Sequence, residues 1–261
     1  MPAPQLLSIE DLKKQSHEDF QFLFQQKRFY KYGSFQVAEE IILPEQTLKF
    51  SPPEFFNDPF DCNEELLDIH MDETHIRSFA GEQLNKMPPD LQQLVMGRML
   101  DGKSVHEALR NEKKNFKICC FSTCHDDTLM WSHYANKHTG ICLGFEFPIR
   151  GEVFTLYPVR YIDEIRKLHG MADTATIFHY WLTRKPSCWA YENEIRAITR
   201  SGQDIIKFEQ PQLREVVFGC KVGQQQIDKL IGRTKELGYA DLIYKRLMID
   251  NASFSLKSIA L

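Results

Sequence analysis

Trp189-Ala190-Tyr191-Glu192-Asn193-Glu194-Ile195-Arg196 is an aromatic run followed by two carboxylates and a guanidinium at alternate positions. As a strand, with its side-chain period of two, it sends Glu192, Glu194 and Arg196 to one face and Ile195 and Ala197 to the other, toward a core. The Cα atoms of the two acids then lie roughly 6.5–7 Å apart, close enough for each to perturb the other's proton affinity. A ladder of this kind can stabilise a developing cation or share a proton. The structural alternative is an edge strand with a solvated, salt-bridged polar face.

Working outward from this segment, Lys117 to Ser122, Gly140 to Phe147 and Glu152 to Tyr157 read as strands, with a helix around Trp131 to Asn136. Helical periodicity is expected from Ile162 to Arg184, made uneven by Gly170. Beyond the acidic ladder, Glu215 to Phe218 reads as a strand, Gln224 to Leu237 as a helix, and Tyr239 to Ile249 and Ser253 to Ile259 as strand-like alternation. On the N-terminal side, residues 6 to 27 look helical, Phe29 to Tyr32 and Thr47 to Ser51 extended, and Ala38 to Ile42 a short helix. Residues 63 to 114 are helical in period and broken at Pro88-Pro89. Strands without strict strand–helix alternation predict an α+β fold with a mixed or antiparallel β core. The expected organisation is a helical extension over 1–27 and a single α+β domain over 28–261, with 63–114 as a helical insertion.

Bulk properties narrow the classes. The chain has 261 residues, 43% of them hydrophobic and 26% charged, enough for a substantial core. A net charge of −4 gives no general attraction to nucleic acid or anionic membrane, although a local basic groove for nucleic acid stays open. No apolar run approaches the roughly 20 residues that span a bilayer, so no membrane partner is expected. Met1-Pro2-Ala3-Pro4 lacks the basic-then-apolar pattern of a secretory signal, and seven cysteines read as reduced thiols; a cytoplasmic protein is the expectation.

Three further clusters stand apart from packing logic. In Phe29-Tyr30-Lys31-Tyr32, alternation puts Tyr30 and Tyr32 on one face and Lys31 on the other, where two phenols would stack a flat ring or simply pack as a core strand. Asn57-Asp58-Pro59-Phe60-Asp61 is a strong turn former, and its amide and acids could alternatively grip hydroxyls or a metal. The third runs from Cys119-Cys120-Phe121-Ser122-Thr123 through Trp131-Ser132-His133-Tyr134 to His138. Ser122 ends an apolar strand, Trp131 and Tyr134 share a helix face, and His133 and His138 add two imidazoles, the side-chain type suited to proton transfer. The Cys and His residues here invite a zinc reading, but no CxxC pair exists and adjacent strand cysteines point to opposite faces.

Taken together these segments resemble a bacterial family known as domain of unknown function 2971. The shared features are Tyr30-Lys31-Tyr32, Asn57-Asp58-Pro59-Phe60-Asp61, Cys120-Phe121-Ser122, Met130-Trp131-Ser132-His133-Tyr134-Ala135, His138-Thr139-Gly140 and Trp189 to Arg196, in order from Phe29 onward. More distantly, the order of elements resembles the ADP-ribosyltransferases, which split NAD and attach ADP-ribose to a protein, nucleic acid or small molecule. Glu192-Asn193-Glu194 would match their late Glu-x-Glu motif. Phe121-Ser122-Thr123 would be a partial middle motif, and Lys31 stands where Arg or His is expected.

That resemblance implies a split sheet, NAD as substrate and an unidentified acceptor. It makes Glu194 the stabiliser of an oxocarbenium-like ribose and Glu192 the group that orients or deprotonates the acceptor. Tyr32, Trp131 or Tyr134 would sandwich nicotinamide, Ser122 would bond the ribose, and Arg196 or Lys31 would neutralise the pyrophosphate. Tyr30, Asn57, Asp58 and His133 complete the expected NAD-binding set. Two alternatives stand beside this one: a Mg²⁺-dependent nuclease or hydrolase using Asp58, Asp61, Glu192 and Glu194, and a non-catalytic nucleotide-binding or interaction module.

Overall fold

The computed structural model describes residues 6–70, 73–100, 103–169 and 173–261, so Met1 to Pro4 and Gly170 lie outside the described residues. The chain divides into two compact units. The first comprises residues 1–21, 52–116 and 160–187; the second comprises 22–51, 117–159 and 188–261. The helical block expected as an insertion is therefore part of a unit that also draws on the N-terminus and on residues 160–187. No described helix is long and apolar enough to cross a membrane.

The second unit is built on an eight-stranded sheet, in a mixed α+β arrangement as expected. Its strands, in chain order, are β1 (Phe29–Gly33), β2 (Lys117–Ser122), β3 (Ile141–Phe145), β4 (Thr155–Pro158), β5 (Glu194–Thr199), β6 (Leu213–Phe218), β7 (Ile243–Ile249) and β8 (Leu256–Ala260). The order across the sheet is β8-β7-β6-β3-β1-β2-β5-β4, with β6 and β7 parallel and the other neighbours antiparallel. Alternation sorts the two faces. Phe29, Phe121, Phe145, Ile195 and Val216 pack on one side with Ile227 and Leu230 of the helix Gln224–Glu236. Tyr30, Tyr32, Cys142 and Val217 face the other side, where Met130 and Trp131 of the helix Thr128–Tyr134 cover them. Asp127 starts that helix, its side chain accepting from the backbone N–H groups of Leu129 and Met130, both at 2.9 Å.

The sheet is not uniformly zipped. β1 pairs with β3 along its whole length but meets β2 only at Tyr30–Ser122 among the described residues. Beyond that pair the Lys31 ammonium reaches across to donate to the Cys120 carbonyl at 3.0 Å.

In the first unit, the helices Glu73–Leu84, Pro89–Leu100 and Lys103–Lys113 match the expected block, with its break at the prolines. The stretch 162–184, expected to be helical, is not one helix. Arg160–Ile162 pairs in parallel with Arg184–Pro186, and Leu168–His169 with Ile69–His70; only Thr174–Leu182 is α-helical. Asp173 caps that helix by accepting from Thr176 N at 2.9 Å, which sets its start well after Ile162. Residues 38–42 form a π-helical turn in place of an ordinary short helix.

Gly219 follows β6 where the chain passes against the 136–138 turn, and a Cβ built there would lie 2.2 Å from the His138 carbonyl oxygen. Since the obstacle is backbone, it cannot swing aside. Gly219→Ala is predicted to destabilise the protein by about 1–3 kcal/mol, as overpacking does elsewhere; a urea midpoint equal to wild type would contradict this packing.

Candidate functional site

Glu194 opens β5, and Arg196 follows on the same face. The Arg196 Nε lies 2.9 Å from Glu194 Oε1 and its Nη2 3.4 Å from Oε2, a side-on grip on both oxygens. β5 is an interior strand between β2 and β4, and all six of its residues are buried, Glu194 at 4% exposure and Arg196 at 0%. The solvated-edge alternative is therefore excluded.

Glu192 is not on that strand. It ends a 3₁₀ turn, Ser187–Glu192, and Asn193 then adopts a left-handed backbone with φ 44°. Asparagine tolerates this conformation better than most residues. The strict strand alternation expected for Glu192, Glu194 and Arg196 thus holds only for the last two. Both acids are nonetheless buried. Hydrogen bonds from Thr123 N to Asn193 O at 3.0 Å and from Val159 N to Glu194 O at 2.9 Å tie the kink to both flanks.

Around this kink the helix Thr128–Tyr134 contributes two rings. The Tyr134 hydroxyl donates to Glu192 Oε1 at 2.5 Å, and His133 Nδ1 lies 3.1 Å from the Tyr191 hydroxyl. The His133 ring stands edge-on to both Tyr134 and Tyr191, with centroids 6.1 and 5.9 Å away. His133 is exposed and the two tyrosines half-buried, so a carboxylate, two phenols and an imidazole meet at an accessible border of the sheet. Chemically, this set can stabilise positive charge, relay a proton and stack a planar ring.

Several expected ligand-binding residues instead hold the fold. Trp131 is fully buried, its indole N–H donating to His125 O at 2.8 Å and its ring edge-on to Tyr32 at 5.3 Å. The Tyr32 hydroxyl donates to Cys124 O at 2.9 Å, and burial pushes its pKa far up. Neither ring is placed to sandwich nicotinamide. Ser122 is buried between Tyr30 and Glu194 in the sheet register, its Oγ accepting from Cys124 N at 3.1 Å. Tyr30 leans over Gly144, away from Glu194, where burial and the nearby Glu215 push its pKa up to about 12. Arg196, expected at the pyrophosphate, engages Glu194, and Lys31 donates to the Cys120 carbonyl. Asn57 and Asp58 belong to the first unit. Asp58 Oδ1 accepts from Phe60 N at 2.9 Å, the turn that Asx-Pro chemistry favours.

Two residues carry no local sequence signal of their place. Tyr191, one residue before Glu192, reaches His133 through its hydroxyl. Glu215, an acid in the apolar run of β6, is fully buried and held by Arg28 and by Lys245 at 2.9 Å. Glu215, Gly144, Tyr30, Ser122 and Glu194 form one row across five strands, so Glu215 lies about 19 Å from Glu194 and belongs to a separate network.

The Cys–His cluster does not assemble as a zinc site. Cys119 packs in the core and Cys120 takes the opposite face, and no group of three or more His, Cys, Asp or Glu side chains among the described residues has ligand geometry. The Ser132–His138 pair, 3.0 Å apart, is likewise no nucleophile–base dyad. The Ser132 hydroxyl donates to Thr128 O at 3.0 Å, so it accepts from His138 Nε2.

The family described as a protein of unknown function (DUF2971) matches residues 130–197, the stretch carrying His133, Tyr134, Tyr191, Glu192, Glu194 and Arg196. This is narrower than the expected resemblance, which runs from Phe29 onward. No curated protein and no solved structure matches the chain.

Two predictions follow from the geometry. Glu194→Ala removes the carboxylate from a buried guanidinium and should cost about 3–5 kcal/mol, most of it recovered in Glu194→Ala/Arg196→Met; denaturant unfolding showing a loss under 1 kcal/mol would contradict the buried pairing. Burial lowers the pKa values of His125 and His138. Native histidines that resist protonation contribute stability above about pH 6.5 and lose it as pH falls below that value. His125→Phe should therefore show a shallower drop in melting temperature between pH 7 and 5 than wild type, and parallel curves would count against it.

Proposed function

We propose that this chain is an ADP-ribosyltransferase-like enzyme that cleaves the nicotinamide–ribose bond of NAD and transfers ADP-ribose to a protein, nucleic acid or small-molecule acceptor. The supporting observation is the meeting of Glu192 with Tyr134, Tyr191 and His133 beside the buried Glu194–Arg196 pair. The parting of β1 from β2 beyond Tyr30–Ser122 is consistent with a split sheet.

In this reading the roles of the two acids differ from the initial expectation. Glu194 already faces a guanidinium, which reduces what it can offer a second cation, so it acts as a positioning residue for the kink. Glu192, which accepts from the Tyr134 hydroxyl beside the exposed His133, lies beneath the ribose. As the C1′–N1 bond breaks, its electron pair neutralises the pyridinium and nicotinamide leaves. The cation developing at C1′ is stabilised by the Glu192 carboxylate, the electrostatic device that glycosidases use. The acceptor oxygen or nitrogen then bonds C1′, and its proton passes to His133, whose exposed ring lies open to an incoming acceptor. Tyr134 and Tyr191 supply the stacking surfaces for nicotinamide.

Glu192→Gln keeps the hydrogen bond to Tyr134 and removes the charge, so nicotinamide release should fall about 10²–10³-fold with the melting temperature unchanged. The experiment incubates purified protein with labelled NAD, nucleic acid and lysate, and follows free nicotinamide and transferred label. Wild-type protein that releases no nicotinamide, or a Glu192→Gln variant of full activity, would end this proposal. Saturable NAD binding without products would point to a non-catalytic nucleotide-binding module instead.

A further inference from the structure

We propose that the first unit contains a binding site for an apolar monocarboxylate, its tail enclosed by an aliphatic and aromatic cavity and its head held at Arg184. The cavity measures about 320 Å³ and its walls include Phe60, Leu66, Leu67, Ile162, Ile165 and Trp181, all within that unit. This volume lies at the lower end of small-molecule sites, which are characteristically apolar with few polar groups. A second, polar cavity of about 590 Å³, with Gln15, Arg160 and Arg166 in its wall, shares Ile162, Tyr180 and Arg184 with the first. Arg184 and Tyr180 thus stand where an apolar compartment adjoins a polar one.

Arg184 is the group that selects the head. It is buried at 9% exposure, and its contacts are all neutral: Thr183 Oγ1 at 2.7 Å and Thr183 O at 3.4 Å from Nη1, Gln15 Oε1 at 2.7 Å from Nη2, and the Tyr180 ring at 4.6 Å from Cζ. Among the described residues no carboxylate lies within ion-pair distance of it. Arg160 nearby is paired with Asp19 at 2.7 Å, and Lys185 has Asp61 at 3.8 Å. A buried guanidinium with no anion in contact is unfavourable, and burial pulls its pKa down to about 10, opposed by the Tyr180 phenol and by Asp19, which lies near without touching it. Its Nε donor has no hydrogen-bond partner among the described residues, and the fork geometry of guanidinium suits a carboxylate. Trp181, in the same wall, also keeps its indole N–H buried without an acceptor among the described residues.

The remaining wall charges set the class of anion. Asp163 and Glu164 line both cavities and are exposed. Two solvated acids at the rim are screened from one buried carboxylate but repel a polyphosphate. That disfavours a nucleotide here and favours a singly charged head on an apolar body. This site is independent of the acids at 192 and 194.

The purified 261-residue chain is titrated calorimetrically with sodium carboxylates from hexanoate to dodecanoate, with decanol and ADP-ribose as controls. One carboxylate should saturate each chain, with decanol weaker by roughly tenfold or more because it lacks the charge. Arg184→Gln should weaken binding by roughly tenfold and Arg184→Lys by less. Leu66→Trp, which fills the cavity, should abolish it. Circular dichroism melts establish that each variant is folded; should Arg184→Gln fail to fold, Leu66→Trp decides. Absence of saturation by every carboxylate in the series, unchanged binding in a folded Arg184→Gln or Leu66→Trp, or displacement of decanoate by ADP-ribose would each overturn the proposal.

Discussion

The ion pair between Glu194 and Arg196 is the constraint around which the second unit is arranged. Two opposite charges lie on an interior strand with almost no access to water, a location that is unfavourable unless each satisfies the other. Their mutual grip fixes the first turn of side chains on β5, and the strand is held by β2 on one side and β4 on the other. Because the pair is desolvated, it contributes less to net stability than to uniqueness: any register slip of β5 by one residue would put both charges into the Phe121–Phe145 core. The position of the neighbouring acid follows from this anchoring.

Glu192 is presented by a device that depends on that anchor. The chain arrives through a short 3₁₀ turn, reverses its backbone hand at Asn193, and enters the strand at Glu194. The two carboxylates therefore face different surroundings. One meets a guanidinium in the interior; the other meets a phenol near an exposed imidazole. Chemically similar groups set in unlike environments are what acid–base and electrostatic catalysis require, and the same logic separates the Glu215 network, clamped by Arg28 and Lys245, from the proposed chemistry.

Much of the sheet could be read from the chain. Lys117 to Ser122 is found where the apolar pattern puts it, and Tyr30, Tyr32 and Lys31 divide between faces as a period of two requires. The adjacent cysteines 119 and 120 do the same. What was not legible had physical causes. Ile162 to Arg184 carries enough apolar residues for a helix, but Asp173 caps a shorter one and the flanking segments pair as strands, a tertiary outcome that local periodicity does not encode. Strict strand alternation breaks at Asn193, and asparagine, a residue that accepts a left-handed φ, is the one local sign of the kink. Three successive left-handed residues, Asn136, Lys137 and His138, had none beyond the asparagine. Whether Arg196 faced water or a buried partner depends on which strands flank β5, and that information is distant in sequence.

The measurement bearing most directly on the central claim is a crystal structure with a non-hydrolysable NAD analogue. The nicotinamide ribose is expected at the Asn193 kink, its C1′ within about 3–3.5 Å of the Glu192 carboxylate, with the Glu194–Arg196 pair intact beside it. An analogue bound elsewhere, or a Glu194 carboxylate that leaves Arg196 for open solvent, would contradict it.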